Sequence, residues 1–256
     1  MNPTVIAVAG KGGTGKTTIC GLLVRHLCDR NESVLAVDAD PNSNLNEVLG
    51  VPQGTSLADI REMVAASETD SGAPLPPGVS KSDYTAYMFG NALIEEDSFD
   101  MLVMGRTQGT GCYCFINGLL KTQIDKFSSS YRWIVVDNEA GMEHISRGTL
   151  PRIDILLLIS DCSRRGIQAA GRLSKMIDDL KLNPRLMGLI VNRAPGGEPD
   201  PGVLEEIEKE NLTLLGIVPQ DDTIYQYDCD GRPTAYVPPD SPVSVALSGI
   251  INGILK

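Results

Sequence analysis

Apolar residues in this chain gather in short unbroken runs, at 5–9, 33–38, 99–104, 132–137, 153–160, 186–191 and 214–218. Runs of this length, rich in Val, Ile and Leu and without polar alternation, read as strands buried on both faces. Between them the apolar positions change period. Ile19, Leu22, Leu23 and Leu27 recur at helical spacing and predict a helix over 17–30, and similar spacing predicts helices over 56–66, 115–127, 167–180 and 243–256. Strand and helix alternating in this way predict βαβ units and an α/β fold with a doubly wound, predominantly parallel sheet, whose ligands sit at the carboxyl ends of the strands. The stretch 67–82, SETDSGAPLPPGVSKS, has neither period and reads as a mobile surface connection. At 256 residues and 42% hydrophobic the chain is expected to form one domain, 1–256.

The first strand runs directly into Gly10-Lys11-Gly12-Gly13-Thr14-Gly15-Lys16-Thr17-Thr18, which fits G-x-x-x-x-G-K-[ST]. Glycines there let successive backbone N–H groups turn onto phosphate oxygens, and the helix that follows adds its positive end. The pattern predicts a P-loop NTPase with Gly12, Gly13, Thr14, Gly15, Lys16, Thr17 and Thr18 around the nucleotide, Lys16 on the outer phosphates and Thr17 on Mg²⁺. A second lysine, Lys11, stands directly after the first glycine. The wording KGGTGKTT resembles the deviant Walker A motif of the MinD/ParA/nitrogenase-iron-protein class of dimeric ATPases. That resemblance implies a homodimer in which Lys11 reaches the partner's nucleotide.

The other strand ends carry matching polar groups. Asp38-Ala39-Asp40-Pro41-Asn42 closes the second strand and resembles switch I of the same class, which implies Asp40 as the carboxylate orienting the attacking water and Asp38 in the Mg²⁺ shell. The run 132–137 ends in Asp137, a Walker B-like acid, and the spacing Asp137 to Gly141 resembles switch II, where glycine lets the backbone swing. Glu139 and His144 read equally well as surface groups. Asn192-Arg193 ends the 186–191 strand; the resemblance implies that the Asn192 amide pairs with the adenine edge, with Arg193 stacked on the ring, while the residues alone also allow an ordinary polar strand terminus. The segment 214–221 resembles the one that closes over the base in relatives.

Cys112 and Cys114 stand just beyond a glycine-rich loop, and in extended backbone residues at i and i+2 face the same way. A closed thiolate site takes four donors. One chain supplies two, and a two-fold dimer repeats the pair. Together with the deviant P-loop and the wording Asp137-Asn138-Glu139-Ala140-Gly141, this resembles the CooC-type maturation ATPases. The resemblance implies an ATP-hydrolysing factor that carries Ni²⁺, or Zn²⁺, between Cys112 and Cys114 of both subunits and serves a client nickel enzyme of the carbon monoxide dehydrogenase type. Two alternatives stay open at this point: an iron–sulfur redox protein of the nitrogenase-iron-protein type, and a metal-free positioning ATPase.

Composition narrows these further. A net charge of -11 argues against extended contact with nucleic acid. The last apolar helix lacks the basic face of a membrane-surface helix, and no run is long enough to span a bilayer. With no leader-like start, and with six cysteines better read as thiols than as a disulfide framework, the expected location is the cytoplasm. Cys20, Cys28, Cys162 and Cys229 read as packing residues.

Overall fold

The computed structural model describes residues 3–66, 78–106, 118, 120–122, 124–125, 129–140 and 152–255. In chain order these form β1 (Thr4–Gly10), α1 (Lys16–Cys28), β2 (Val34–Ala39), α2 (Leu45–Leu49), α3 (Leu57–Ala66), α4 (Lys81–Gly90), β3 (Ile94–Glu95), β4 (Asp100–Val103), β5 (Trp133–Asn138), β6 (Ile155–Asp161), α5 (Arg164–Asp179), β7 (Leu186–Ala194), α6 (Pro201–Lys209), β8 (Leu214–Pro219), α7 (Asp222–Cys229) and α8 (Pro242–Ile254). Helical turns also place Leu120 and Ile124 in the core, within the expected 115–127 helix.

The strands lie in the order β3-β4-β2-β5-β1-β6-β7-β8. Every pairing is parallel except β3 with β4. This is the doubly wound sheet that the apolar runs predict. Alternate residues of β1 feed opposite faces: Val5, Ala7 and Ala9 share one buried cluster with residues of α3 and α5, whereas Ile6 and Val8 belong to a second cluster with residues of α1 and α8. Both faces are covered, so a continuous apolar run is the only strand composition that suits the position. The chain leaves β1 toward β2 on one side, while β6 pairs on the other, which opens a crevice at the carboxyl end of β1.

The helices start where side chains satisfy their first N–H groups. Ser163, Asp200, Asp221 and Ser241 cap α5, α6, α7 and α8, and Pro follows at the start of α6 and α8. Between α5 and α6, the fully buried Glu206 carboxylate accepts from Arg164 (3.0 Å) and Gln168 (2.9 Å). Within α8, Val243, Leu247 and Ile251 are buried four residues apart, so the last helix docks on the core through one stripe. Among the described residues no helix is long and apolar enough to cross a membrane.

One expectation changes. The connection read at 67–82 ends earlier than its composition suggests: Ser80 caps α4 by accepting from the Asp83 N–H (3.1 Å) and donating to its carboxylate (2.7 Å), a capping box hidden in a polar sequence. Residues 67–77 lie outside the described set. The last apolar run forms β8, which ends at Pro219, and in the exit loop beyond it Asp221 turns to cap α7.

The centre of the sheet is closely packed, and Ile6 is fully buried in it. Ile6→Ala is expected to cost roughly 2–5 kcal/mol through lost burial and a residual cavity. Thermal unfolding should then fall by roughly 5–15 °C for a chain of this size; an unchanged transition would mean that the centre of the sheet relaxes freely.

Candidate nucleotide site

The crevice at the end of β1 holds the glycine-rich loop. Gly10 must lack a side chain, since a Cβ there would lie 2.2 Å from the Ile159 carbonyl oxygen of β6. The loop then folds on itself: the Lys11 carbonyl accepts from the Thr14 hydroxyl (2.9 Å) and from Lys16 Nζ (3.3 Å). Gly13 and Gly15 are left-handed, at φ 80° and 88°, a region open to glycine at little cost. Unlike α5 to α8, α1 has no side-chain cap, because its N-cap is Gly15. Its first N–H groups therefore remain open toward the loop, which is what a phosphate nest requires. Gly12 faces Ala140, whose Cβ would lie 3.6 Å from a Cβ at Gly12. The Lys11 side chain points to solvent.

Three carboxylates surround this loop. Asp137, at the end of β5, is buried; it receives the Thr17 hydroxyl, and its Oδ1 has no hydrogen-bond partner. Burial lifts its pKa to about 6, against the opposing pull of Thr17 and of Lys16. Burial in turn lowers the pKa of Lys16, with Asp137 and Asp40 working the other way. Asp40 is half-exposed, and its Oδ1 accepts from the Asn42 backbone (2.8 Å) and side-chain amide (3.0 Å). Asp38 is fully buried and raised to about 7, chiefly by desolvation. Its two oxygens accept from the N–H groups of Asp40 (3.1 Å) and Leu45 (3.0 Å). The structure thus gives Asp38 the task of holding the 40–45 loop in shape.

The donor set suits a hard divalent cation. A hydroxyl from Thr17, a buried carboxylate with one orphaned oxygen, and a second acid at Asp40 converge beside an open helix terminus. Asp137 is the group such an ion would hold ionised.

On the other flank, Asn192 and Arg193 sit where β7 breaks register with β8. Arg193 is left-handed, at φ 55°, an uncommon state for a long side chain that re-aims it. Asn192 Nδ2 donates to the Thr14 carbonyl (2.9 Å), and the Arg193 guanidinium donates to that of Gly13 (3.1 Å). Both residues therefore brace the loop from outside, a role that reading Asn192 as a base-edge group does not include. A Cβ on Gly15 would meet Asn192 Nδ2 at 2.4 Å, so the brace and the glycine require each other. Asn192 and Arg193 also border a cavity of about 610 Å³, whose walls include Thr18, Pro219, Gln220 and Tyr225. Its place beside the loop and its size match a bound base and ribose.

The cysteine pair fares differently. Cys112 and Cys114 lie outside the described residues, as do Gly141 and His144. Among the described residues, no three His, Cys, Asp or Glu side chains form a metal-holding group. Cys20 is buried with its thiol pKa pushed up by desolvation, in keeping with a packing role.

Asp137 gives a direct test. Its folded pKa lies above the ordinary carboxylate value, so ionising it costs stability: the penalty appears as pH rises through about 4 to 6 and is complete above that. Asp137→Asn should therefore raise the melting temperature of nucleotide-free protein near pH 7.5, by up to roughly 3 kcal/mol or 5–10 °C. The same change should remove the stabilisation that Mg²⁺ with ADP gives the parent. Melting curves with and without Mg²⁺ and ADP check both effects, and a variant less stable than its parent in the free state would contradict the electrostatic account.

Comparison with known proteins agrees with this geometry. The model of the CobQ/CobB/MinD/ParA nucleotide binding domain matches residues 5–234. An uncharacterized ATP-binding protein of Methanocaldococcus jannaschii is 36% identical over 98% of both chains. The carbon monoxide dehydrogenase accessory protein CooC of Rhodospirillum rubrum is 30% identical over 88% of this chain and 87% of its own length. Among solved structures, the septum site-determining protein MinD of Pyrococcus horikoshii, complexed with Mg-ADP, superposes with a TM-score of 0.71 at 20% identity, covering 99% of this chain and 96% of that one. With the P-loop, the parallel sheet and a family match over most of its length, the chain belongs to the CobQ/CobB/MinD/ParA nucleotide-binding family and is a P-loop ATPase.

Proposed function

We propose that this ATPase works as a homodimeric maturation factor that delivers Ni²⁺ to a client enzyme of the carbon monoxide dehydrogenase type. The relative that supports this reading is the CooC accessory protein, similar over 88% of the chain. The structural observation that carries it furthest is the Lys11 side chain. The Lys11 carbonyl is tied into the loop by Thr14 and Lys16, yet its side chain projects to solvent from the face at which the strands end. A cation held there, on a loop with an internal lysine already in place, suits the phosphates of a second copy.

In this reading the N–H groups of Gly12, Gly13, Thr14, Gly15, Lys16, Thr17 and Thr18 surround the phosphates. Lys16 leaves the Lys11 carbonyl for the outer phosphate oxygens, and Asn192 and Arg193 hold the loop and border the base. Thr17 and Asp137 would hold Mg²⁺, which when bound offsets charge on the phosphate oxygens. Asp40, released from Asn42, orients a water for attack on the γ-phosphorus; the bond from that phosphorus to the ADP oxygen breaks, giving ADP and phosphate. Cys112 and Cys114 of two subunits surround the cargo ion. Four thiolates repel one another without a cation, so metal and dimer favour each other. Hydrolysis relaxes the loops at the strand ends and frees the ion for the client.

Replacing both cysteines, Cys112→Ser with Cys114→Ser, is expected to abolish binding of one metal per dimer and metal-promoted dimerisation, read by elemental analysis and sedimentation. Undiminished binding sinks the proposal. A coloured cluster band in anaerobically purified protein would instead favour an iron–sulfur protein. Lys11→Ala should lower the hydrolysis rate roughly 100-fold or more, in line with loss of one charge-stabilising donor, while ATP affinity of the monomer changes little. Equal loss of both would place Lys11 in its own subunit's site.

A further inference from the structure

The cavity beside the phosphate loop is walled in part by Thr18 and Ile19 of α1, Val48 of α2, Val243 of α8 and Thr234. Thr234 opens the short turn Thr234–Tyr236, which lies between α7 and α8 in the chain. It is only 5% exposed, and its hydroxyl finds no hydrogen-bond partner among the described residues. A hydroxyl withdrawn from water and left unbonded destabilises the free protein. The turn has little room to shift and relieve it. Gly21 lets α1 and α2 close around the turn, since a Cβ there would lie 2.3 Å from Val48 Cγ1 and 3.5 Å from Ala235 Cβ. At Gly50, left-handed at φ 72°, a Cβ would fall 2.6 Å from Pro233 Cγ. Thr234 is thus wedged at the cavity with its hydrogen bond unmade.

The rest of the cavity is equally fixed, and its charge indicates which part of a nucleotide it takes. Asp221 joins the starts of two helices: Oδ1 accepts from the Thr223 N–H (2.8 Å) in α7, and Oδ2 accepts from the Val243 N–H (3.2 Å) in α8. Asp222 and Asp228, both exposed, also border the space. Among its described lining residues the cation is Arg193, whose guanidinium is already engaged by the Gly13 carbonyl. An acidic rim repels phosphate and suits groups that carry hydrogen-bond donors. The phosphates belong at the uncapped start of α1. Thr18 is part of both the loop and the cavity wall, so the sugar joined to those phosphates enters along the side that carries Thr234. Rotation about χ1 moves the Thr234 hydroxyl between staggered positions, which presents the oxygen to a ligand without displacing the turn.

We infer that the Thr234 hydroxyl bonds a ribose hydroxyl of the bound nucleotide, which makes Thr234 a specificity-determining residue that selects ribonucleotides over their deoxy counterparts. The inference rests on the placement of the nucleoside in this cavity and is independent of the cargo metal. Its physical basis is a difference between two states: the free protein leaves the hydroxyl unpaired, and the sugar satisfies it.

The test is calorimetric titration of the full chain, with Mg²⁺ present, using ADP, 2′-deoxy-ADP and 3′-deoxy-ADP. The parent should bind one of the deoxy forms roughly 3–10-fold more weakly than ADP, the size of one hydrogen bond. Thr234→Val, which puts a methyl in place of the hydroxyl, should weaken ADP by a similar factor and bind ADP and that deoxy form alike. Thr234→Ser should keep the parent's preference. Nucleotide-free Thr234→Val should melt at or above the parent's temperature, because an unmet hydroxyl has left the interior; a lower melting temperature would mean that the hydroxyl is already bonded in the free protein, and overturns the inference. A parent that binds all three nucleotides alike, or a folded Thr234→Val protein that retains the parent's preference, also overturns it and leaves the nucleotide site standing. Absence of saturable ADP binding by the parent overturns the placement of the nucleotide, and the inference falls with it.

Discussion

Everything at the carboxyl end of this sheet follows from the burial of carboxylates around a helix start that carries no cap. Asp38 and Asp137 are withdrawn from water on adjacent strands, in register with each other across β2 and β5. The cation facing Asp137, Lys16, is itself partly desolvated and bonded to a carbonyl. Such an arrangement is poorly balanced in the free protein, and a polyphosphate entering with a divalent ion would balance it. Binding energy in this fold is therefore stored as unmet electrostatic demand, and the stability of the surrounding sheet is what permits the demand to persist.

The sheet supplies that stability through its two covered faces. Because both are buried, the strands were legible as apolar runs, and the one helix that matters most for the site, α1, was legible from Ile19, Leu22, Leu23 and Leu27. The phosphate loop could be read for the same reason: its chemistry lies in nine consecutive residues, 10–18. What escaped the sequence shares a different property. Helix α2 has five residues, too few to show a period. The pairing of Asn192 with Thr14 spans 178 residues, and no local pattern records it. Helices α6 and α7 are acidic segments whose caps, Asp200 and Asp221, read as loop residues until the fold places them. Helix α4 was hidden for a similar reason, its cap lying inside a run of Pro, Gly and Ser.

The site was therefore legible in its chemistry and opaque in its mechanics. Residue type and spacing named Lys16, Thr17 and Asp137 as a group, and the fold brings them together. They could not say that Arg193 takes a left-handed backbone to reach Gly13, since that depends on a break in the β7–β8 register. Nor could they reveal that Lys16 rests on the loop's own carbonyl, a contact that must break before the side chain can meet a ligand.

Asp38 shows how such opacity can mislead an experiment. One residue ties three segments: its carboxylate holds the backbone at Asp40 and at Leu45, and its carbonyl holds Met104. An alanine at this position would release the loop and the start of α2 at once, although its carbonyl would still hold Met104. Lost turnover in such a variant would look like the loss of a catalytic acid while reporting only the collapse of a junction. In a fold of this kind, the most damaging substitution near the phosphates is the least informative about chemistry, and mechanism is better read from residues that hold nothing else in place.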